Sequence, residues 1–385
     1  MEIAEQKPSD PTPGDAINSW ENMSDLGPIA PLLCDDSVND ILINGYQEVF
    51  VERDGKLVKT DVTFPDEAAV RKLAEAIVKA IGRTLDGSRP LVDARLSDGS
   101  RVNIIAPPLA VDGTMVSIRK FSRRKLSLDM MVEQGNMSEA LSEFLKIATE
   151  CKMNIIISGG TGSGKTTLLN AVSTHIGQNE RVVTVEDAAE LQLQQPHVIR
   201  LETQPLKLGR DPKEEVSVRD LVKNALRMRP DRIIVGEVRG MEAFDMLQAM
   251  NTGHEGSLTT IHANHPRDAL ARLENMISMA NFNIPMRSMR AQIASAVHII
   301  VQISRMHDGV RRVTYVSEVA GLEGDIISMN DLFQFVTDGD GENGRLKGEF
   351  KWTGIVPKSM KRVAYYGQME RLGKVLGMKV PKKPR

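Results

Sequence analysis

Gly159-Gly160-Thr161-Gly162-Ser163-Gly164-Lys165-Thr166-Thr167 fits the phosphate-binding pattern G-x-x-x-x-G-K-[ST], and its surroundings decide the class of the fold. Residues 154–158 (N-I-I-I-S) form a short apolar, β-branched run that predicts a buried strand. Residues 166–175 (T-T-L-L-N-A-V-S-T-H) then carry the apolar spacing of a helix. Glycines let such a loop wrap a phosphate with its backbone N–H groups pointing inward, helped by the positive end of the helix. Lys165 places a point charge near the β- and γ-phosphates, and the Thr166 hydroxyl is suited to ligate Mg2+. A glycine-rich turn that merely precedes a helix is the bland alternative; strand, loop and helix in this order argue against it. The expected ligands are ATP and Mg2+.

A triphosphatase also needs a carboxylate to activate water and one to hold the water shell of the metal. Downstream, R-I-I-V-G-E is an apolar strand ending in Glu237, with Gly236 where an Asp usually stands. Glu237 is therefore the expected catalytic carboxylate. The second is expected from Glu186 in V-E-D, at the end of another apolar run, with a role in holding the metal. Both have ordinary alternatives: Glu186, Asp187 and Glu190 as turn caps, and Glu237 as a partner of Arg239. The segment T-G-H-E-G-S-L-T-T-I-H-A-N ends a polar strand near His262, whose ring could bond a γ-phosphate and report its loss. His254, His262 and His265 have a spacing open to zinc, but no cysteine or separate carboxylate set completes such a site.

These segments, in this order, resemble the secretion ATPase superfamily of type II and type IV secretion systems. In that family G-G-T-G-S-G-K-T-T, T-V-E-D-A-A-E-L, R-M-R-P-D-R-I-I-V-G-E-V-R-G and the histidine segment correspond to the Walker A, Asp box, atypical Walker B and His box. Further likeness in R-P-L-V-D-A-R-L-S-D-G-S-R-V-N-I-I-A-P-P, V-S-I-R-K-F and S-E-V-A-G-L-E-G-D-I-I-S-M-N-D-L-F-Q-F points to the CpaF branch, which drives Tad/Flp pilus assembly. The resemblance implies a homohexameric ring of RecA-like domains that works at the cytoplasmic face of the inner membrane on platform proteins of a pilus or secretion machine. It implies no specific nucleic acid. It also implies phosphate-contacting arginines, matched here by Arg101 and Arg119 upstream and by Arg219 and Arg239 near the Walker B strand, with Arg227 and Arg229 as further candidates.

The wider chain fits an α/β fold: a RecA-like P-loop core preceded by a small α+β domain. Its 385 residues suffice for two or three domains, and 41% hydrophobic with 26% charged residues is ordinary for a globular protein. A net charge of -2 and 4% aromatics give no general pull toward nucleic acid. Cys34 and Cys151 form no C-x-x-C pair, which fits a reducing compartment. No apolar run approaches the roughly 20 residues of a membrane span, and the acidic N-terminus lacks a signal-peptide core. The expected division is a flexible arm (1–31), an α+β domain (32–121), a linker (122–138), the ATPase core (139–335) and a tail (336–385). Hairpins are expected at Asp54-Gly55, Asp98-Gly99 and Asp308-Gly309, a helix over 66–81 with Gly82 as its cap, and a capping box at Ser217 and Asp220.

Overall fold

The structure, a computed structural model, describes residues 23–53, 55–81, 83–87, 90–96, 98–121, 126–204, 215–280, 284–341 and 344–378. The chain divides into two units, Met1–Arg124 and Lys125–Arg385.

The first unit opens with a 3-10 stretch, Met23–Ile29, and α1 (Ala30–Cys34). An antiparallel sheet follows, of β1 (Val38–Asn44), β2 (Val49–Arg53), β3 (Lys56–Lys59), β4 (Leu91–Arg95), β5 (Arg101–Ile105) and β6 (Met115–Arg119), in the order β3-β2-β1-β6-β5-β4. Helix α2 (Glu67–Ala80) buries Val70, Leu73, Ala74, Ile77 and Val78, one face at helical spacing. Its N-cap, Asp66, accepts from the Ala69 N–H at 2.8 Å. Asp54 and Gly82, expected in a turn and a cap, lie outside the described residues.

The second unit holds a nine-stranded sheet between two layers of helices. Its elements begin with α3 (Leu128–Glu133), α4 (Glu139–Glu150), β7 (Ile155–Ser158), α5 (Lys165–Ser173), β8 (Val182–Glu186) and β9 (Val198–Glu202). Then come α6 (Val218–Ala225), β10 (Arg232–Val238), α7 (Glu242–Asn251), β11 (Leu258–Ile261), α8 (Pro266–Met279) and α9 (Met286–Ala296). Last are β12 (Ile299–Arg305), β13 (Arg311–Glu323), β14 (Ile326–Asp340), β15 (Leu346–Trp352), α10 (Met360–Tyr365) and α11 (Met369–Val375). The strand order is β15-β14-β13-β12-β7-β11-β10-β8-β9. From β12 to β9 all neighbours are parallel, whereas β13 to β15 join through antiparallel pairs. Successive residues of β7 face opposite layers: Ile155 and Ile157 enter one apolar cluster, Ile156 the other. The Ser217–Asp220 capping box forms and opens α6.

Three stretches expected outside the globular units carry part of their cores. Leu26 and Ile29, placed in the arm, are buried in the first unit. Leu128, Met131 and Met137, placed in the linker, are buried in the second. Val363, Leu372 and Leu376, placed in the tail, join the same cluster. Each sits in a very short helix or beside one, too brief to show periodicity, so only the packing reveals its apolar face.

Candidate nucleotide site

Parallel α/β sheets present their ligand sites beyond the carboxyl ends of the strands. Four adjacent strands, β7, β11, β10 and β8, carry at or just past those ends the glycine-rich loop, His262, Glu237 and Glu186. The sheet thus lines up in space four motifs that lie far apart in sequence.

The loop runs from β7 into α5, which begins at Lys165, one residue earlier than the spacing predicts. Gly159 passes close under β12: a Cβ there would lie 2.4 Å from the Ile303 carbonyl and 2.4 Å from Ser163 Oγ. Gly160 and Gly162 shape the loop around exposed Thr161, and Gly164 takes a left-handed φ of 97° as the helix N-cap. The Gly160 carbonyl accepts from Lys165 Nζ at 2.8 Å and from Ser163 Oγ at 2.9 Å. Thr166 and Thr167 follow in the first turn, half-buried.

Lys165 is buried, and that burial lowers its pKa against the pull of Glu237. Its Nζ lies 3.3 Å from His262 Nε2, which in turn lies 2.9 Å from Glu237 Oε1. One imidazole nitrogen cannot both accept from the lysine and donate to the carboxylate; the lysine bond is the one formed, and Glu237 Oε1 is buried beside the ring without a hydrogen-bond partner. Burial, and next the Lys165 charge, lower the His262 pKa and favour the neutral ring. Glu237 Oε2 pairs with Arg239 at 2.6 Å, and Arg239 also reaches Asp187 at 3.3 Å. The ordinary partner of Glu237 and its His262 contact therefore coexist on different oxygens.

Glu186 is buried, and burial raises its pKa. Its Oε2 accepts from the Glu190 and Leu191 N–H groups at 2.7 and 2.8 Å, while Oε1 is buried without a hydrogen-bond partner. The next residue, Gln192, donates its N–H to Asn170 of α5 at 2.9 Å, which ties this turn to the loop's helix. Gly236 explains its own identity: a Cβ there would lie 2.9 Å from Glu186 Cγ. The side chain absent from the usual Asp position leaves room for the acid of the neighbouring strand. A divalent cation suits this set, because Glu186 Oε1 is an acceptor with nothing to accept from and the Thr166 hydroxyl stands in the first turn of α5.

The remaining arginines divide. Arg219 is held by Asp245 of α7 at 2.7 Å. In the first unit, Arg101 and Arg119 are direct cross-strand partners, and Arg95 completes the row opposite Arg101. Arg119 also pairs with Asp40 on the next strand at 3.1 Å. Arg95 donates its Nε to the Gly99 carbonyl at 3.3 Å. Arg95 was not anticipated; only the strand register puts it beside the other two. Another unanticipated residue is Arg311, whose Nε donates to the Gly162 carbonyl at 2.9 Å across 149 positions of sequence. His254 and His265 join no metal cluster, since no group of three or more ligand side chains exists among the described residues. His265 instead caps α8, accepting from the Arg267 N–H at 3.3 Å.

The family model described as Type II/IV secretion system protein matches residues 22–323. A putative conjugal transfer protein of Mycobacterium tuberculosis is 36% identical over 308 residues, covering 78% of this chain and 86% of its own length. Conjugal transfer protein TrbB of Rhizobium radiobacter is 37% identical over 297 residues, covering 76% and 86% respectively. Among solved structures, the Legionella pneumophila ATPase DotB aligns with a TM-score of 0.52 at 20% identity, over 84% of this chain and 85% of that one. The pilus retraction motor PilT, solved with bound ADP, gives a TM-score of 0.52 at 17% identity over 97% and 91%. At these identities the structural likenesses speak to the fold: a RecA-like α/β core after a smaller α+β domain.

Proposed function

The chain belongs to the type II/IV secretion system protein family, and on that premise we propose that it is an ATP-hydrolysing motor of a pilus or secretion machine. The observation that carries this reading is the chain of contacts Lys165–His262–Glu237, which joins three separate motifs at the mouth of the phosphate loop.

In this reading the loop's N–H groups and the dipole of α5 hold the phosphates, and Lys165 exchanges the Gly160 carbonyl for a phosphate oxygen. Thr166 and Glu186 would hold Mg2+, which would neutralise phosphate charge. Glu237 orients and deprotonates the attacking water while Arg239 fixes its other oxygen. His262 stands between lysine and carboxylate, so loss of the γ-phosphate changes which of the two it bonds. That exchange moves β11, and the motion is the output of the motor.

The finer assignment is a Tad/Flp pilus-assembly motor working as a homohexameric ring, peripheral to the inner membrane through platform proteins. No helix among the described residues is long and apolar enough to cross a membrane. A second reading, a conjugal-transfer motor, is favoured by the names of the relatives. Deleting the gene separates them: loss of surface pili with normal conjugation supports the first, and loss of conjugation with normal pili supports the second. Biochemically, the wild-type chain should release phosphate from ATP with Mg2+, and Lys165→Ala should not. Equal phosphate release by the two proteins would refute the motor reading.

A further inference from the structure

We infer that Arg311 is a positioning residue for the phosphate loop, one that sets nucleotide affinity through the loop backbone without touching the nucleotide. This rests on the nucleotide-binding reading above.

Strands β12 and β13 form a hairpin whose first strand runs parallel to β7, with Gln302 level with Ser158. The hairpin therefore walls one side of the loop, and Ile303 of β12, together with Ser163, limits position 159. Arg311 opens the second strand, directly opposite Arg305. Its backbone is pinned from outside the hairpin: its carbonyl accepts from Asn136 Nδ2 at 2.6 Å, and Val313 N–H donates to the Asn136 carbonyl at 2.9 Å. Beside it, Arg312 makes a bidentate pair with Asp308 at 2.9 and 2.8 Å, both side chains buried. Asp308 also accepts the Val310 and Leu346 N–H groups, each at 3.0 Å. The Arg312 hydrogen bonds hold its carboxyl well below the usual carboxylate range, so this anchor stays charged through ordinary pH.

From that fixed base the Arg311 side chain lies along the glycine apex. Its Nε bonds the Gly162 carbonyl at 2.9 Å, and its Cδ is 3.2 Å from where a Cβ on Gly164 would stand. A peptide carbonyl and the next N–H point in opposite directions across the peptide plane. Holding the Gly162 carbonyl toward β13 therefore turns the Ser163 N–H to the other side, into the loop, where it donates to the Gly160 carbonyl at 3.4 Å. Inside the loop, Gly160 is the carbonyl that Lys165 has to release when phosphate arrives. Arg311 grips the opposite limb, so the loop keeps its shape while that inner bond is exchanged. Donors that hold a phosphate equally in the ground state and the transition state act on binding and leave the chemical step unchanged.

The test compares Arg311→Met and Arg311→Lys with the wild-type full chain, measuring dissociation constants for MgADP and a non-hydrolysable MgATP analogue, steady-state kcat and KM, and apo melting temperature. Arg311→Met should weaken both nucleotides by the same factor, about tenfold or more, as expected for a lost charge-assisted hydrogen bond to the loop. KM should rise with kcat little changed and with an unaltered apo melting temperature. Arg311→Lys, which keeps a donor within reach of the Gly162 carbonyl, should recover much of the loss. Weakening confined to the ATP analogue would mean direct contact with the γ-phosphate and would overturn the inference, as would unchanged affinity in Arg311→Met. Absence of nucleotide binding in the wild type would remove the underlying reading as well, a result distinct from either.

Discussion

A Cβ on residue 236 would stand 2.9 Å from Glu186 Cγ, so the missing Walker B acid and the buried acid on β8 are one arrangement. Gly236→Ala should therefore displace the Glu186 carboxylate and slow phosphate release by about tenfold or more, an estimate in the range for disturbing a positioned catalytic group. A Gly236→Ala protein with wild-type turnover would show that Glu186 is not needed where it stands. His262→Ala should bind nucleotide nearly normally and hydrolyse it slowly, with the apo melting temperature unchanged. A lowered apo melting temperature with wild-type activity per folded molecule would instead make His262 a packing residue. At this scale the sequence was most readable where chemistry confines a residue type to a short motif: Lys165, Glu186, Glu237 and His262 all lie at or just past the ends of adjacent strands. Arg311 was hidden because a guanidinium bonding a backbone carbonyl leaves no spacing rule, and 149 positions separate the partners.

Between neighbouring elements, two buried side chains stitch the strand starts on the side of the sheet away from the site. Arg232, fully buried, forks onto Glu180 at 2.8 Å on both oxygens and donates to the Thr149 and Gly256 carbonyls. Burial alone would raise the Glu180 pKa, but the Arg232 hydrogen bonds prevail and hold it at about 2. Arg232→Met should cost about 3–5 kcal/mol, because Glu180 keeps only Lys152, at 3.0 Å, of its two cationic partners while the Thr149 and Gly256 carbonyls lose a buried donor; denaturant unfolding measures this, and a loss under 1 kcal/mol would contradict it. His298, just before β12, accepts the Asn154 N–H on Nδ1 at 2.9 Å, and burial lowers its pKa from 6.5 to about 4. The unfolded ring takes its proton at the higher pH, so the contribution of the neutral ring is whole above 6.5 and is lost as pH falls toward 4. The loss should be on the order of 3 kcal/mol, and His298→Asn should flatten the pH dependence of stability across that window. Equal slopes in the two proteins would rule this out. Elements with strong local signals were legible: α2 from its apolar face, α6 from its capping box, the hairpins from Asp-Gly. Helices α3, α10 and α11 span only 6, 6 and 7 residues and gave no periodicity to read.

Across the second unit, the family match ends at residue 323, yet the core continues past it. Leu332, Phe333, Val363, Leu372 and Leu376 are buried in the cluster that supports α4 and α5. Glu318, also buried, accepts the Lys358 and Ser359 N–H groups at 2.6 and 2.7 Å. Arg362 forks onto Glu255 at 2.9 and 2.7 Å, and so fastens α10 to the turn that leads into β11. A chain cut after residue 323 should thus lose soluble, cooperative unfolding, as followed by thermal melting; a cut protein that melts like the full chain would make this segment an appendage. The expected tail read as separate because its Gly, Asp and Lys content resembles a linker, and composition does not report which few apolar side chains reach the core. If the Lys165–His262–Glu237 site drives ATP hydrolysis, nucleotide binding and phosphate release should come apart in Glu237→Gln. MgATP affinity should stay near that of wild type, with turnover reduced by on the order of 10²–10⁴-fold, as for loss of a catalytic base. MgATP binding with full turnover would contradict it and place the catalytic carboxylate elsewhere.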